Sequence, residues 1–374
     1  MPNLPDVVLW SIPAFVLLTV IELVSYRIHP DEDAAGYETK DAVTSLGMGI
    51  GSLVFDFLWK IPIVAIYTAV YELTPLRVPV LWWTVLLMLL AQDFLYYWQH
   101  RGHHVIRILW ACHVVHHSSR KFNLTTALRQ PWTSATSWPF YLPMIALGVH
   151  PAAIAFCYSV NLVYQFWIHT ERIDKLPRPV EFVFNSPSHH RVHHASQGGY
   201  LDRNFGGILI VWDRMFGSWV GETDKPVFGL TKNIGTYNPL RVATHEYASI
   251  ARDVRGAATW RERAGRVFGG PGWQPAPAPA ALPATQASHL RPAALSLLPR
   301  LADTLAAATA AGALAALDPG SGLTTAFLVR DAEAAAPERS TGSRRPARHL
   351  AALSDHRSTS STSGGPPPGG PSRR

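Results

Sequence analysis

Only two cysteines occur in the 374 residues, Cys112 and Cys157, and charged side chains make up just 16% of the chain. Two thiols make a disulfide framework improbable and cannot hold an iron–sulfur cluster, which takes four thiolate ligands. A soluble domain carries about a quarter charged residues, so this composition points to a membrane protein. No G-x-G-x-x-G follows a strand-like run, so no dinucleotide cradle is expected and any electrons must come from outside. The net charge of +7 is also less informative than it looks. Residues 275–374 hold ten arginines, no lysine and six acids, which leaves +3 for everything before them. That excess is too small for a nucleic-acid footprint.

What the chain does have is aromatic and apolar length. Thirteen tryptophans and a mean hydropathy of +0.06 accompany several long hydrophobic runs. "VVLWSIPAFVLLTVIELVSY" (Val7 to Tyr26) is long enough to cross a bilayer, which takes about 20 residues. It has neither the basic start nor the small-residue cleavage site of a signal peptide. The run from Ser45 to Tyr71 contains Asp56, Lys60 and Pro62 and reads as a kinked span. "VLWWTVLLMLLAQDFLYYW" (Val80 to Trp98) leads directly into His100. The stretch from Ser137 to His169 is too long for one crossing and is broken by "GVHP", so it reads as a helical hairpin, spanning or shallow, that returns to the side it left. The expected fold is all-α, a multi-span membrane protein with about four to five transmembrane helices. With the N-terminus outside, the third span delivers His100 and the fifth delivers His169 to the inside. The segments after them carry Arg101, Arg107, Arg120, Lys121, Arg172, Lys175 and Arg178, in keeping with the positive-inside tendency.

Histidines concentrate at that face. "HRGHH" begins at His100, "HVVHH" at His113 and "HRVHH" at His190, while His169 follows the last apolar run. Residues at i, i+3 and i+4 share a helical face, so each motif is expected to aim its imidazoles at one spot. Nine nitrogen ligands are expected: His100, His104, His113, His116, His117, His169, His190, His193 and His194. Nine are too many for one ion and enough for two. His103, His189 and Gln165 adjoin these motifs and are possible alternates. His150, at the hairpin tip, and the isolated His29 and His245 read as ordinary polar residues, and Cys112 as packing. Imidazole suits zinc, copper, iron and nickel alike.

The pattern H-x-x-x-H, H-x-x-H-H, H-x-x-H-H on a multi-span scaffold resembles the fatty acid hydroxylase and sterol desaturase superfamily. The flanks "SSRKFNLTTALRQ", "IHTERI", "NSPSHHRVHH" and "DRNFGGILIVWDRMFG" are most similar to its alkylglycerol monooxygenase branch. The likeness covers roughly residues 40–273, with the histidine motifs inside 93–194. It implies a cytosolic di-iron centre held by the nine histidines, dioxygen as oxidant, and a membrane lipid chain as substrate. It also implies an external electron donor, either a reductase or tetrahydrobiopterin. Asp93, seven residues before His100 in an apolar run, is expected to orient a ligand, with Glu171 and Asp202 as further candidates. Arg129 is expected to contact an anionic head group or cofactor. "NFGGILIVWDRMFG" reads as a packed cap closed by Asn204 and Asp213.

Three alternatives remain open at this point. A desaturase would use the same histidines and differ only in how the substrate sits. A zinc-stabilised membrane scaffold or a metal transporter would also need clustered imidazoles, although transport sites usually lie near the bilayer midplane. Beyond "PGW" at 271–273 the composition shifts to Ala, Pro, Ser, Gly and Arg. Residues 274–374 therefore read as a largely disordered, dispensable tail.

Overall fold

The computed structural model describes residues 4–275, so the expectations for the tail after 275 lie outside the described residues. α1 (Val7–Ile28) is capped by Asp6, whose carboxylate accepts from the Leu9 amide at 3.0 Å. α2 (Thr39–Leu73) runs 35 residues through Pro62. Both are long and apolar enough to cross a membrane. Their apolar side chains face outward, with Trp10 78% and Leu53 69% exposed. Outside a membrane such surface would be very costly to leave bare.

α3 (Trp82–Val105) starts from an apolar first half and becomes buried and polar toward its end. Ile106 is extended and breaks the helix, and α4 (Arg107–His117) then packs back along α3. The break brings the H-x-x-x-H of α3 against the H-x-x-H-H of α4. The short α5 (Leu124–Ala127) follows, closed by a capping box from Asn123.

The expected hairpin is present, with a short and broken outgoing limb. Its outgoing limb is a 3₁₀ helix, Ser134–Tyr141, followed by the five-residue α6 (Leu142–Ala146). Thr133, Ser134 and Thr136 favour backbone-capping bonds over a continuous helix, and Pro139 and Pro143 remove amide donors. Gly148, at φ +86°, turns the chain into α7 (Pro151–Trp167). Tyr67, Met88, Met144, Ile145, Ile154 and Cys157 form the apolar core below the histidines.

Between His169 and Asn238 the described chain holds only short elements. These are α8 (Arg178–Val183), α9 (Pro187–His193) and α10 (Val211–Met215). Two isolated bridges, Phe184 to Leu209 and Ala195 to Phe228, pin them together, and no longer strand occurs among the described residues. α11 (Pro239–Gly256) and α12 (Trp260–Phe268) are amphipathic and lie against α4. Buried Arg107 secures that contact by donating to Glu246 at 2.8 Å and Asp253 at 2.6 Å.

Candidate metal centre

The ends of α3, α4, α7 and α9 converge on one region, and all nine expected histidines reach it. They form two groups whose ligand atoms lie within 4.8 Å of one another. One contains His100, His104, His113, His117 and His193; the other contains His116, His169, His190 and His194. The motifs do not map one to one onto these groups, which corrects the expectation of one spot per motif. His113 and His117 enter the first group while His116, between them, enters the second. On α9 the assignment reverses: His190 and His194 join the second group and His193 the first. The cause is helical geometry. Residues i and i+4 lie close in angle, whereas i+3 and i+4 diverge by about 100°.

Ring nitrogens crowd together in both groups. His100 and His113 bring their Nε2 atoms to 2.8 Å, and His113 and His117 to 3.1 Å. In the second group the Nε2 separations are 3.1 Å for His169 and His116, 2.9 Å for His190 and His169, and 3.2 Å for His194 and His190. All ligand atoms of each group lie within 4.8 Å of one another, close enough to share one ion. The Nε2 atoms of His104 and His193 are buried with no hydrogen-bond partner. Burial also holds His113, His117, His190 and His194 well below the usual imidazole range and lowers His193 to about 4. Neutral, desolvated imidazoles with unpaired nitrogens are what metal binding requires. The residues present therefore fit a pair of ions with nitrogen-rich ligand sets.

A single turn braces the first group. His104 Nδ1 meets the Asp202 carboxylate at 3.2 Å, His193 Nδ1 meets the Arg203 carbonyl at 2.8 Å, and His100 Nδ1 meets the Phe205 carbonyl at 2.9 Å. Each acceptor fixes the proton on Nδ1 and leaves Nε2 for the metal. Asp202 and Asn204 hold left-handed backbone, φ 56° and 55°. Such strain persists only where the surroundings enforce it. Here Asn204 donates to the His189 carbonyl and accepts from the Val220 amide, while Asp213 accepts from the amides of Phe205 and Gly206 at 2.7 Å.

Asp93 lies one step further out than expected. It touches no histidine and instead accepts from the Ile208 and Leu209 amides, Trp212 Nε1 and Asn161 Nδ2. It anchors the cap whose Phe205 carbonyl holds His100. Gly207 permits the close approach, because a Cβ there would lie 2.6 Å from Asn161 Oδ1 and 2.9 Å from Asp93.

The second group is held mostly through its neighbours. His169 Nδ1 meets the Gln165 carbonyl at 2.7 Å, whereas the Nδ1 atoms of His116 and His190 have no partner. Arg191 takes Glu222 through two 2.8 Å bonds and donates to the carbonyls of Thr170 and Ile173. Glu22, buried on α1, accepts from the Thr170 hydroxyl and from the Leu124 amide at 2.8 Å. The sequence reading passed over Glu22, although a lone carboxylate inside an apolar span is the same signal that singled out Asp93.

Three neighbours fall outside both groups. His103 spends its nitrogens on the Gln99 carbonyl and Thr136, His189 Nδ1 meets Ser186, and Gln165 pairs with Tyr96 and Asn161. Cys112 is buried and stands apart from both groups. Glu171 accepts from the Gly36 amide at 3.3 Å and reaches no histidine. Arg129 is not an accessible cofactor contact. It is 2% exposed, 3.0 Å from an equally buried Asp41, and donates to Ser45 and Ser118. Its role here is to clamp α2 to the segment after α4.

Residues 85–218, which contain all nine histidines, match the fatty acid hydroxylase family. The chain is 39% identical over 278 residues to alkylglycerol monooxygenase of Homo sapiens, and 38% identical over 282 residues to that of Xenopus tropicalis. Each alignment covers 73% of this chain and 61% of the relative. The chain thus spans about three-fifths of the length of these relatives. A stretch of 55 residues, 15% of the chain, is 66% identical to 4-diphosphocytidyl-2-C-methyl-D-erythritol kinase of Streptomyces avermitilis. It covers 18% of that enzyme, too little to carry an activity across. No solved structure matches the chain.

Proposed function

We propose that this chain, whose residues 85–218 belong to the fatty acid hydroxylase family, is a membrane di-iron oxygenase that hydroxylates a lipid alkyl chain. The observation that carries this reading is the division of nine histidines, eight buried and His113 half-buried, into groups of five and four. His100, His104, His113, His117 and His193 would hold one iron, and His116, His169, His190 and His194 the other. Bound iron would supply the activation of dioxygen needed to oxidise an unactivated C–H bond.

The protein's own contribution is binding, orientation and dryness. The turn at 202–205 fixes three rings of the first group. Phe122, stacked on Phe228 at 4.7 Å and 5.1 Å from the His194 ring, screens the second group from water. Asp202 is the carboxylate bonded to a clustered imidazole, forming a carboxylate–histidine pair at one ion. Low burial of α1 and α2 supports an integral membrane location, and the basic segments beside the histidines favour the cytosolic face.

The alkylglycerol monooxygenase relatives favour an ether lipid as substrate. Hydroxylation of the alkyl carbon next to the ether oxygen gives a hemiacetal. That species collapses to a fatty aldehyde and a free glycerol hydroxyl without any further catalytic residue. Electrons would come from outside, from tetrahydrobiopterin or a reductase partner. The test is to supply iron-loaded protein in detergent with an alkylglycerol, with and without a tetrahydropterin, and assay for aldehyde. Aldehyde formation is expected. Hydroxylated acyl chains with no aldehyde under any donor would remove the ether-lipid assignment and leave a general lipid hydroxylase.

A further inference from the structure

A concavity of about 370 Å³ lies beside α8, α9 and α10 and is lined by none of the nine clustered histidines. Three cations surround it: Lys175, Arg178 and Arg214. Arg214 is preset, with its guanidinium 4.0 Å over the Trp219 ring and 4.8 Å over the Phe182 ring. Its Nε and Nη2 donate to the carbonyls of Phe182 and Glu181. Lys175 donates to the Glu222 carbonyl at 2.7 Å, and Arg178 makes no side-chain hydrogen bond among the described residues. The two carboxylates on the wall are committed elsewhere. Glu222 holds Arg191, and Glu181 accepts from the hydroxyls of Ser186 and Ser188 and from the Leu176 amide. Buried His189 and Ser188 complete the inner wall.

Phe182 and Trp219 in its lining are exposed, as are Val180, Phe184 and Met215, which lie on or next to α8 and α10. Cations set beside exposed aromatic and aliphatic side chains are the pattern of a membrane interface, where the charged groups meet lipid phosphates. We propose that this cavity is a phosphate-group site, and that an anionic membrane lipid supplies the phosphate. Arg178 contributes an exposed charge, Lys175 an exposed ammonium tethered to the Glu222 carbonyl, and Arg214 a fixed guanidinium. The ligand would sit against α9, which with its C-cap residue His194 carries three of the nine histidines, so occupancy would brace that helix. The site does not depend on the redox reading, and its test uses no turnover.

The full chain in detergent is titrated with phosphatidic acid, with diacylglycerol of the same acyl chains, and with inorganic phosphate, following the thermal midpoint by tryptophan fluorescence. Phosphatidic acid is expected to raise the midpoint by about 3 °C or more, and diacylglycerol to leave it unchanged. The double variant Lys175→Gln/Arg178→Gln, on exposed side chains, should shift the titration to at least about tenfold higher lipid. Arg255→Gln, an exposed cation elsewhere, should not. If inorganic phosphate reproduces the rise and the double variant loses it, the phosphate site stands and its source is the free anion. An equal rise with diacylglycerol, an unchanged response in the double variant, or no rise with either phosphate compound overturns the proposal.

Discussion

The two histidine groups differ in how they are held. In the group of five, one turn supplies three acceptors, from Asp202, Arg203 and Phe205, directly to imidazole Nδ1 atoms. In the group of four, only His169 has such an acceptor, the Gln165 carbonyl, and two Nδ1 atoms are unpaired. That group depends instead on the links Arg191–Glu222, Glu22–Thr170 and Arg129–Asp41, which fix the segments carrying the rings. The first group is therefore tuned through its ligands and the second through its scaffold. It follows that the two should fail differently.

The largest effect separates ligands from bystanders. On the proposed assignment, His194→Ala or His116→Ala would leave three ligands for the second ion, and His113→Ala four for the first. Activity should fall more than about a hundredfold in all three, beyond the usual cost of an outer partner. Metal analysis should show a greater loss for the second-group variants. Equal metal retention in all three would erase the proposed difference between the groups.

Acid should act next. His193, lowered to about 4 by burial, binds its proton in the unfolded chain near the ordinary value of 6.5 and in the folded chain only well below it. Its contribution to stability is fully present above pH 6.5 and is lost as pH falls toward 4. The neighbouring rings shift in the same direction. The thermal midpoint of demetallated protein should drop steadily between pH 7 and 5, and a flat profile would speak against buried neutral rings.

Removing one partner of the buried pair, as in Arg129→Gln, should cost about 3 kcal/mol and affect both metals through loss of the fold. Denaturant melts measure it. Asp202→Asn removes the carboxylate from His104 alone. It should weaken metal binding in the first group by about tenfold to a hundredfold and spare the second, so chelator competition should release one ion before the other. The smallest effect is expected for His150→Ala. His150 caps α7 by accepting from the Ala152 amide, so the change should cost about 1 kcal/mol of stability and leave metal content unaltered.

Much of this was legible in the sequence, for identifiable reasons. The spacing of the histidines named all nine members of the two groups, because i, i+4 pairs share a helix face whatever the fold. The same spacing already sets the i+3 ring about 100° from the i+4 ring, but it could not reveal which rings of different motifs would share a group. That depends on how the fold brings the ends of α3, α4, α7 and α9 together. Asp93 stood out as a carboxylate in an apolar run, but its partners are backbone amides more than a hundred residues away, so its role in the cap was not visible. Arg129 looked available because its partner Asp41 lies 88 residues upstream. The hairpin was read from the length of the apolar run and the break at "GVHP", and its outgoing limb is interrupted by proline and hydroxyl residues that the apolar content hid.

Metal analysis and Mössbauer spectroscopy of protein purified without chelators test the di-iron proposal most directly. Two irons per chain, with coupled spins in the oxidised protein, are predicted. Active protein containing zinc as its only metal, or a single iron per chain, would contradict it.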